Sequence, residues 1–252
     1  MNFIKTQGTF VVKENMKIAA DTFRLKIGDF DDYDPIPGQF LNIRLNGFFL
    51  RRPFSVCDFS TEARELSIIY KIFGNGTLEL SKITKTQNLD ILYGLGNGFQ
   101  VQSVPTNANI ALIGGGVGTA PLYYLAKKLI EFNHKYVTIL GFKDSSQIFY
   151  INKFSKISEI HIATEDGSFG ILGYVTDILE KLNYNYYFSC GPPAMLKAVH
   201  QLGHEGQICM ESRMACGFGA CMGCSCKILN NEITYKRICT EGPVFSSREL
   251  VF

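Results

Sequence analysis

The sequence predicts a multidomain chain of three units: an antiparallel β-barrel, an α/β domain built on a parallel sheet, and a small cysteine-rich module. Three observations carry this. The first hundred residues read as short β-type runs separated by turn chemistry. From about residue 104, strands and helices alternate. Six of the eight cysteines, Cys209, Cys216, Cys221, Cys224, Cys226 and Cys239, crowd together near the C-terminus. At about 150 residues per domain, length alone argues for two domains. The cysteine segment is too short to bury a core of its own and calls for a metal staple. We expect the barrel over 1–103, the α/β domain over 104–206 and the cysteine module over 207–252.

The barrel follows from TFVVKENMKIAA, TFRLKI, QFLNIRL, FSVCDF and ELSIIYKIF, runs with partial alternation broken by DDYDPIPG and FGNG. One short helical stretch, Thr77 to Lys82, interrupts them. RRPFS opens one strand, and there Arg52 can pair with a phosphate and Ser55 can hydrogen-bond a ring. An edge strand with exposed arginines explains the same string. IYKIFGNGT then supplies Tyr70, Lys71, Gly74, Gly76 and Thr77 at a helix start, a second phosphate seat.

The α/β domain opens with NIALI, which runs into GGGVGTAP and a helical segment, PLYYLAKKLIEF. Leu122, Leu125, Leu129 and Phe132 form one stripe of that segment. Gly114, Gly115, Gly116 and Gly118 therefore sit between a strand and a helix, where backbone N–H groups and the helix dipole favour phosphate. Thr119 is placed to cap the helix, and Pro121 suits its first turn. The string differs from G-x-G-x-x-G, and a tight turn without a ligand would also use these glycines. YYFSCGPPAM repeats the arrangement, with Cys190 and Gly191 before a helix beginning at Pro192. Two glycine-bearing strand ends on one parallel sheet define the crevice in which dinucleotides bind. No arginine cluster follows YVTILGFKDSS, but Lys143 and Ser145 leave NAD against NADP open.

In ACGFGACMGCSCK, Cys216, Cys221 and Cys224 give C-x4-C-x2-C, and Cys239 follows after fourteen residues. This is the plant-type [2Fe–2S] ligand spacing. Gly217, Gly219 and Gly223 let a loop wrap a cluster and bring N–H groups to its sulfides. A structural zinc site favours two separated C-x2-C pairs, and only one clean pair is present. Cys226 lies two residues after Cys224 at a strand start, which suits packing, although an exchange of roles between the two is open.

Composition excludes several classes. Twenty-five basic against 23 acidic residues leave +2, too little for a nucleic-acid footprint. No run of apolar residues approaches a membrane span, and MNFIKTQGTF lacks a signal-peptide pattern. We expect a cytoplasmic protein. His134, His161, His200 and His204 are scattered, Asp166 sits in a turn, and Glu211 just precedes the cysteine loop.

Taken in order, these constellations resemble the ferredoxin–NADP reductase superfamily over the whole chain. Within it they resemble the electron-transfer subunits of type B dihydroorotate dehydrogenase. RRPFS looks like the R-x-Y/F-S flavin motif, IYK with Gly76-Thr77 like the ribityl and pyrophosphate segments, and GGGVGTAP with CGPPAMLKAV like the nicotinamide-nucleotide segments. ESRMACGFGACMGCSCK, Cys239 and EGPVF resemble the cluster domain and tail. The resemblance implies FAD held by Arg52, Pro53, Phe54, Ser55, Ile69, Tyr70, Lys71, Gly76 and Thr77. It implies NAD at Gly114, Gly115, Gly116, Gly118, Thr119, Cys190, Gly191 and Pro192, and a [2Fe–2S] cluster on Cys216, Cys221, Cys224 and Cys239. Phe54 stands where many members have Tyr; it can stack on a flavin but offers no hydroxyl.

The implied function is electron transfer between NAD⁺ and an FMN-containing dihydroorotate dehydrogenase catalytic subunit in pyrimidine (UMP) biosynthesis. The implied assembly is a heterotetramer with two of each subunit. No residue of this chain acts in proton transfer, and dihydroorotate oxidation requires the partner. Two alternatives stand: the same electron chain serving ferredoxin, polysulfide or hydrogenase, and a zinc-stabilised nucleotide-binding regulator without redox chemistry.

Overall fold

The computed structural model describes residues 6–230 and 232–252. Six antiparallel strands close the first unit: β1 (Thr6–Ala19), β2 (Thr22–Ile27), β3 (Phe40–Ile43), β4 (Arg52–Ser60), β5 (Glu65–Lys71) and β6 (Asn88–Leu95). Their order around the barrel is β1-β2-β5-β4-β3-β6. Alternation decides which side chains fill it. Leu66 and Ile68 of β5 point inward with Leu25, Ile27, Leu41, Ile43, Val56 and Ile91, and all are fully buried. Closure leaves the barrel no free edge. Helix α1 (Asn75–Ser81) plugs the β5–β6 connection and starts two residues earlier than its sequence suggests.

The second unit alternates β7 (Ile110–Gly115), α2 (Thr119–Glu131), β8 (Tyr136–Phe142), α3 (Ile151–Phe154), β9 (Glu159–Thr164), β10 (Ile171–Leu172), α4 (Val175–Leu179), β11 (Tyr186–Cys190), α5 (Pro193–Gln201) and β12 (Glu205–Cys209). All six strands are parallel, in the order β10-β9-β8-β7-β11-β12. Strand β7 shows how both faces are covered. Ile110 and Leu112 pack with α2 and α3, whereas Ala111 and Ile113 pack with α4 and α5. Leu122, Leu125 and Leu129 are fully buried, but Phe132 lies beyond the last turn of α2 and is exposed. The apolar stripe thus ends one turn earlier than the sequence pattern suggests.

The cysteine module is an insertion into this sheet. Strand β12 runs on to Cys209, and β15 (Val244–Ser246) returns to pair antiparallel with it, Cys209 opposite Val244. Strands β13 (Ser225–Asn230) and β14 (Glu232–Arg237) form a separate hairpin between them. The boundary expected at 206/207 therefore cuts a strand. The module borrows its core: Cys224, Ile228, Ile238, Cys239 and Leu250 join the cluster formed by α4, α5 and one sheet face.

Candidate functional site

A single cleft of about 420 Å³ touches all three units. Phe40, Pro53, Phe54, Ser55, Ile69, Tyr70, Lys71 and Phe73 form its barrel wall. Val117, Ala120 and Pro121 come from the glycine-rich turn and the start of α2, and Met210, Glu211, Ser212, Met214 and Pro243 flank the cysteine loop.

The barrel wall is set by register. Ser55 pairs with Phe40 and Pro53 with Asn42, so Phe40, Pro53 and Ser55 share one face of the β3–β4 pair, while Phe54 pairs with Leu41 and packs on the barrel core. Phe54 meets Tyr70 edge-to-face at 5.7 Å. The Tyr70 hydroxyl donates to Asn15 Oδ1 at 2.9 Å, and burial pushes that phenol up to about 12. Lys71 Nζ donates to Gln147 Oε1 at 2.7 Å, tying the barrel to the loop after β8. Arg52, Gly76 and Thr77 stand outside the cleft wall. The Arg52 guanidinium lies 5.0 Å over the Phe48 ring and donates from Nη1 to the Leu50 carbonyl at 2.7 Å. A β-carbon on Gly76 would fall 2.7 Å from Arg52 Nε, so the two residues meet. Thr77 Oγ1 accepts from Phe73 N at 2.9 Å and caps the turn from within.

Strand order reverses between β7 and β11, and the two glycine turns meet there, with Cys190 in register with Gly114. Gly118 packs on Gly191, and Gly115 on Pro192 and Met195. Of the glycines in these two turns only Gly116 takes a positive φ, +52°, with open space where a β-carbon would be. Thr119 does not cap α2. It is the first helical residue, fully buried, and its hydroxyl has no partner among the described residues. Pro192 caps α5, which begins at Pro193.

The Cys190 thiol hydrogen-bonds with Cys209 on the next strand, and that contact together with burial holds it well above the usual thiol range. Glu211 is surrounded by protein yet open to the cleft, and that crowding raises its carboxyl above the usual range. Asp166 accepts from Ser168 N and Oγ, closing its own turn. Among the described residues no histidine lines the cleft.

The four thiols of the plant-type pattern stand as two pairs. Cys216 Sγ and Cys221 Sγ are 3.4 Å apart. Cys224 hydrogen-bonds with Cys239, and both are buried. Among the described residues no three metal-binding side chains converge on one point. Two separate pairs suit a binuclear centre, two thiolates to each iron, better than one tetrahedral ion. Burial opposes the Cys216 thiolate, but N–H groups of Phe218, Cys221 and Ala220 outweigh it and bring the thiol down to about 6. Burial instead pushes Cys224 up to about 11. Cys226 packs against the shared core on the neighbouring strand. Gly217 and Gly219, at φ +72° and +93°, turn the loop, and Arg237 Nη1 secures it through the Gly219 carbonyl at 2.6 Å.

Residues 211–251 match the iron–sulfur cluster binding domain of dihydroorotate dehydrogenase B. The dihydroorotate dehydrogenase B (NAD(+)) electron transfer subunit of Fusobacterium nucleatum is 40% identical over 250 residues, covering 95% of this chain and 96% of that one. Its counterpart in Shouchella clausii is 36% identical, covering 98% and 99%. The chain belongs to this family. Its fold extends to more distant proteins. The structure of an NADH-dependent reduced ferredoxin–NADP oxidoreductase aligns at a TM-score of 0.86 and 28% identity, covering 96% of this chain and 89% of that one. A ferredoxin–NADP⁺ reductase from Neisseria gonorrhoeae, solved with FAD and NADP, shares the fold at a TM-score of 0.67 and 15% identity, covering 77% and 89%.

In this chain the third wall of the cleft is what sequence reasoning missed. Met210 lies outside every quoted string, and Ser212, Met214 and Pro243 lie in ESRMACGFGACMGCSCK and EGPVF, which the sequence reading gave to the cluster module and not to the cleft. Their only signal is position, on the two strands of chain that enter and leave the cysteine loop.

Proposed function

We propose that the chain relays electrons between NAD⁺/NADH and an FMN-containing catalytic subunit that oxidises dihydroorotate, using FAD in the cleft and a [2Fe–2S] cluster on the cysteine loop. The observation that carries this reading is the shared cleft, which one wall each of the barrel, the glycine crevice and the cysteine approach encloses. Flavin, when bound, exchanges hydride pairs with a nicotinamide and single electrons with an iron–sulfur centre.

The residues fit those groups. Pro53, Phe54 and Ile69 offer a flat apolar wall, with Ser55 and Lys71 beside it as polar groups. Arg52 and the Gly74–Gly76 turn supply charge and N–H groups where a pyrophosphate would extend. Gly114 to Gly118 and Cys190 to Pro192 form the nucleotide crevice opening on Val117 and Ala120. Cys216 with Cys221, and Cys224 with Cys239, would each hold one iron. Phe218 and Met222 stand exposed between the ligand thiols, an apolar surface suited to a protein partner.

The likeness to an NADH-dependent ferredoxin–NADP oxidoreductase favours a second reading, the same relay serving a ferredoxin. Purification from the native source tests both. The first expects FAD, iron and acid-labile sulfide on this chain, with a co-purifying FMN protein in a two-plus-two assembly. A different redox partner with no FMN protein would sink it. A colourless chain with zinc would sink both.

A further inference from the structure

Asn42 lies in β3 and is 2% exposed. Its backbone belongs to the barrel ladder, in register with Pro53 on one side and Leu92 on the other. Its side chain does not serve the barrel. Nδ2 donates to the Cys216 carbonyl at 3.5 Å, the long end of a hydrogen bond. The same amide lies on the next residue, since a β-carbon on Gly217 would fall 2.0 Å from Nδ2. Oδ1 is buried and has no partner among the described residues. The flanking Leu41 and Ile43 are fully buried apolar residues of the kind a barrel strand needs. Alternation turns the Asn42 side chain to the opposite face, out of the barrel, where a half-satisfied buried amide is costly and its contacts are with the cysteine loop.

We propose that Asn42 is a positioning residue for the iron–sulfur cluster. It fixes the Cys216 end of the loop to the strand that carries Phe40 of the cleft wall, and it aims an N–H dipole at that end. This rests on the ligand reading given above. An N–H dipole directed at the cluster's surroundings favours the added electron, so removing it lowers the cluster's reduction potential.

The test uses the full chain with Asn42→Leu, which keeps the branched shape and removes the dipole. FAD content, iron content, the EPR spectrum of the reduced cluster and its midpoint potential are read against wild type. The expected result is unchanged FAD, a shifted EPR line shape and a lower potential, worth roughly a threefold loss in the cluster's share of the electron, where tenfold is 59 mV for one electron. Loss of the cluster with FAD retained also supports the anchoring role. An unchanged spectrum and potential overturn it. If Asn42→Leu loses both groups, Asn42→Ala, which removes the amide without adding bulk or charge, decides. A lower potential with FAD retained supports the proposal, and an unchanged potential or loss of both groups overturns it. Absence of a [2Fe–2S] signal in the wild type would instead refute the ligand reading.

Discussion

Gly118 and Gly191 meet backbone to backbone: a β-carbon on Gly118 would lie 2.6 Å from both the α-carbon and the nitrogen of Gly191. Gly118 has φ −63°, so its backbone conformation does not require glycine. Only the close approach of the two turns requires it. Gly118→Ala must push the turn after β7 away from the turn after β11, opening the crevice at the strand-order reversal. Overpacking of this kind costs about 1–3 kcal/mol. The expected outcome is a roughly tenfold or greater rise in KM for NADH, about 1.4 kcal/mol or more of lost binding. FAD and iron content should stay at wild-type levels. Steady-state NADH oxidation with an artificial acceptor checks this, and an unchanged KM would contradict it.

The pairing of Cys216 with Cys221 predicts a separable loss. Cys221→Ser removes one thiolate from the 3.4 Å pair and leaves the cleft's barrel wall untouched. The variant should contain FAD but no [2Fe–2S] cluster. It should keep NADH-to-dye activity and lose transfer to the partner subunit. Iron and sulfide analysis beside the flavin spectrum measures this. A full complement of iron and sulfide in the variant would refute the ligand assignment.

How much of this was legible in the sequence depends on the range of the interactions. The glycine turns and the cysteine spacing are local, and local chemistry dictates them: the close turns need Gly115 and Gly118, and the loop needs Gly217 and Gly219 at positive φ. The barrel was legible because β5 alternates Leu66 and Ile68 inward. Two of the missed features are long-range. Strand β15 returns to β12 across the whole cysteine module, so composition alone marks a boundary where the sheet has none. Asn42 reads as one polar residue in a strand until Cys216, 174 residues later, arrives beside it. Thr119 looks like a helix cap because Thr before an apolar run usually is one, whereas here the helix starts on it.

Arg52 has its guanidinium against Gly76, with Nη1 anchored to the Leu50 carbonyl. That anchor holds the planar fork beside Gly76. A guanidinium so held suits a phosphate, and charge-assisted hydrogen bonds contribute about 1.5–3 kcal/mol. Arg52→Ala should therefore weaken FAD retention by roughly tenfold to a hundredfold, while Arg52→Lys, which keeps charge but not the fork, should restore part of it. Flavin fluorescence after extensive dialysis gives the measure. Wild-type occupancy in Arg52→Ala would remove Arg52 from the site.

Glu211 gives the pH prediction. The side chain is exposed to the cleft, but the protein crowded around it withholds water and raises its carboxyl above the ordinary 4.5. A carboxyl whose folded pKa exceeds its unfolded value binds more protons in the native state, so stability falls as pH rises from the unfolded value through the folded one. Filling the cleft with flavin adds burial and keeps the sign. Above that window the penalty is constant. Glu211→Gln carries no titrating proton there, so its stability should be flatter with pH and should exceed that of the wild type near neutrality. Thermal melts of both proteins between about pH 4 and about pH 8 provide the comparison. The two curves should converge at the acidic end and separate as the wild-type carboxyl ionises. Parallel curves across the range would show that Glu211 titrates as an ordinary solvated carboxylate.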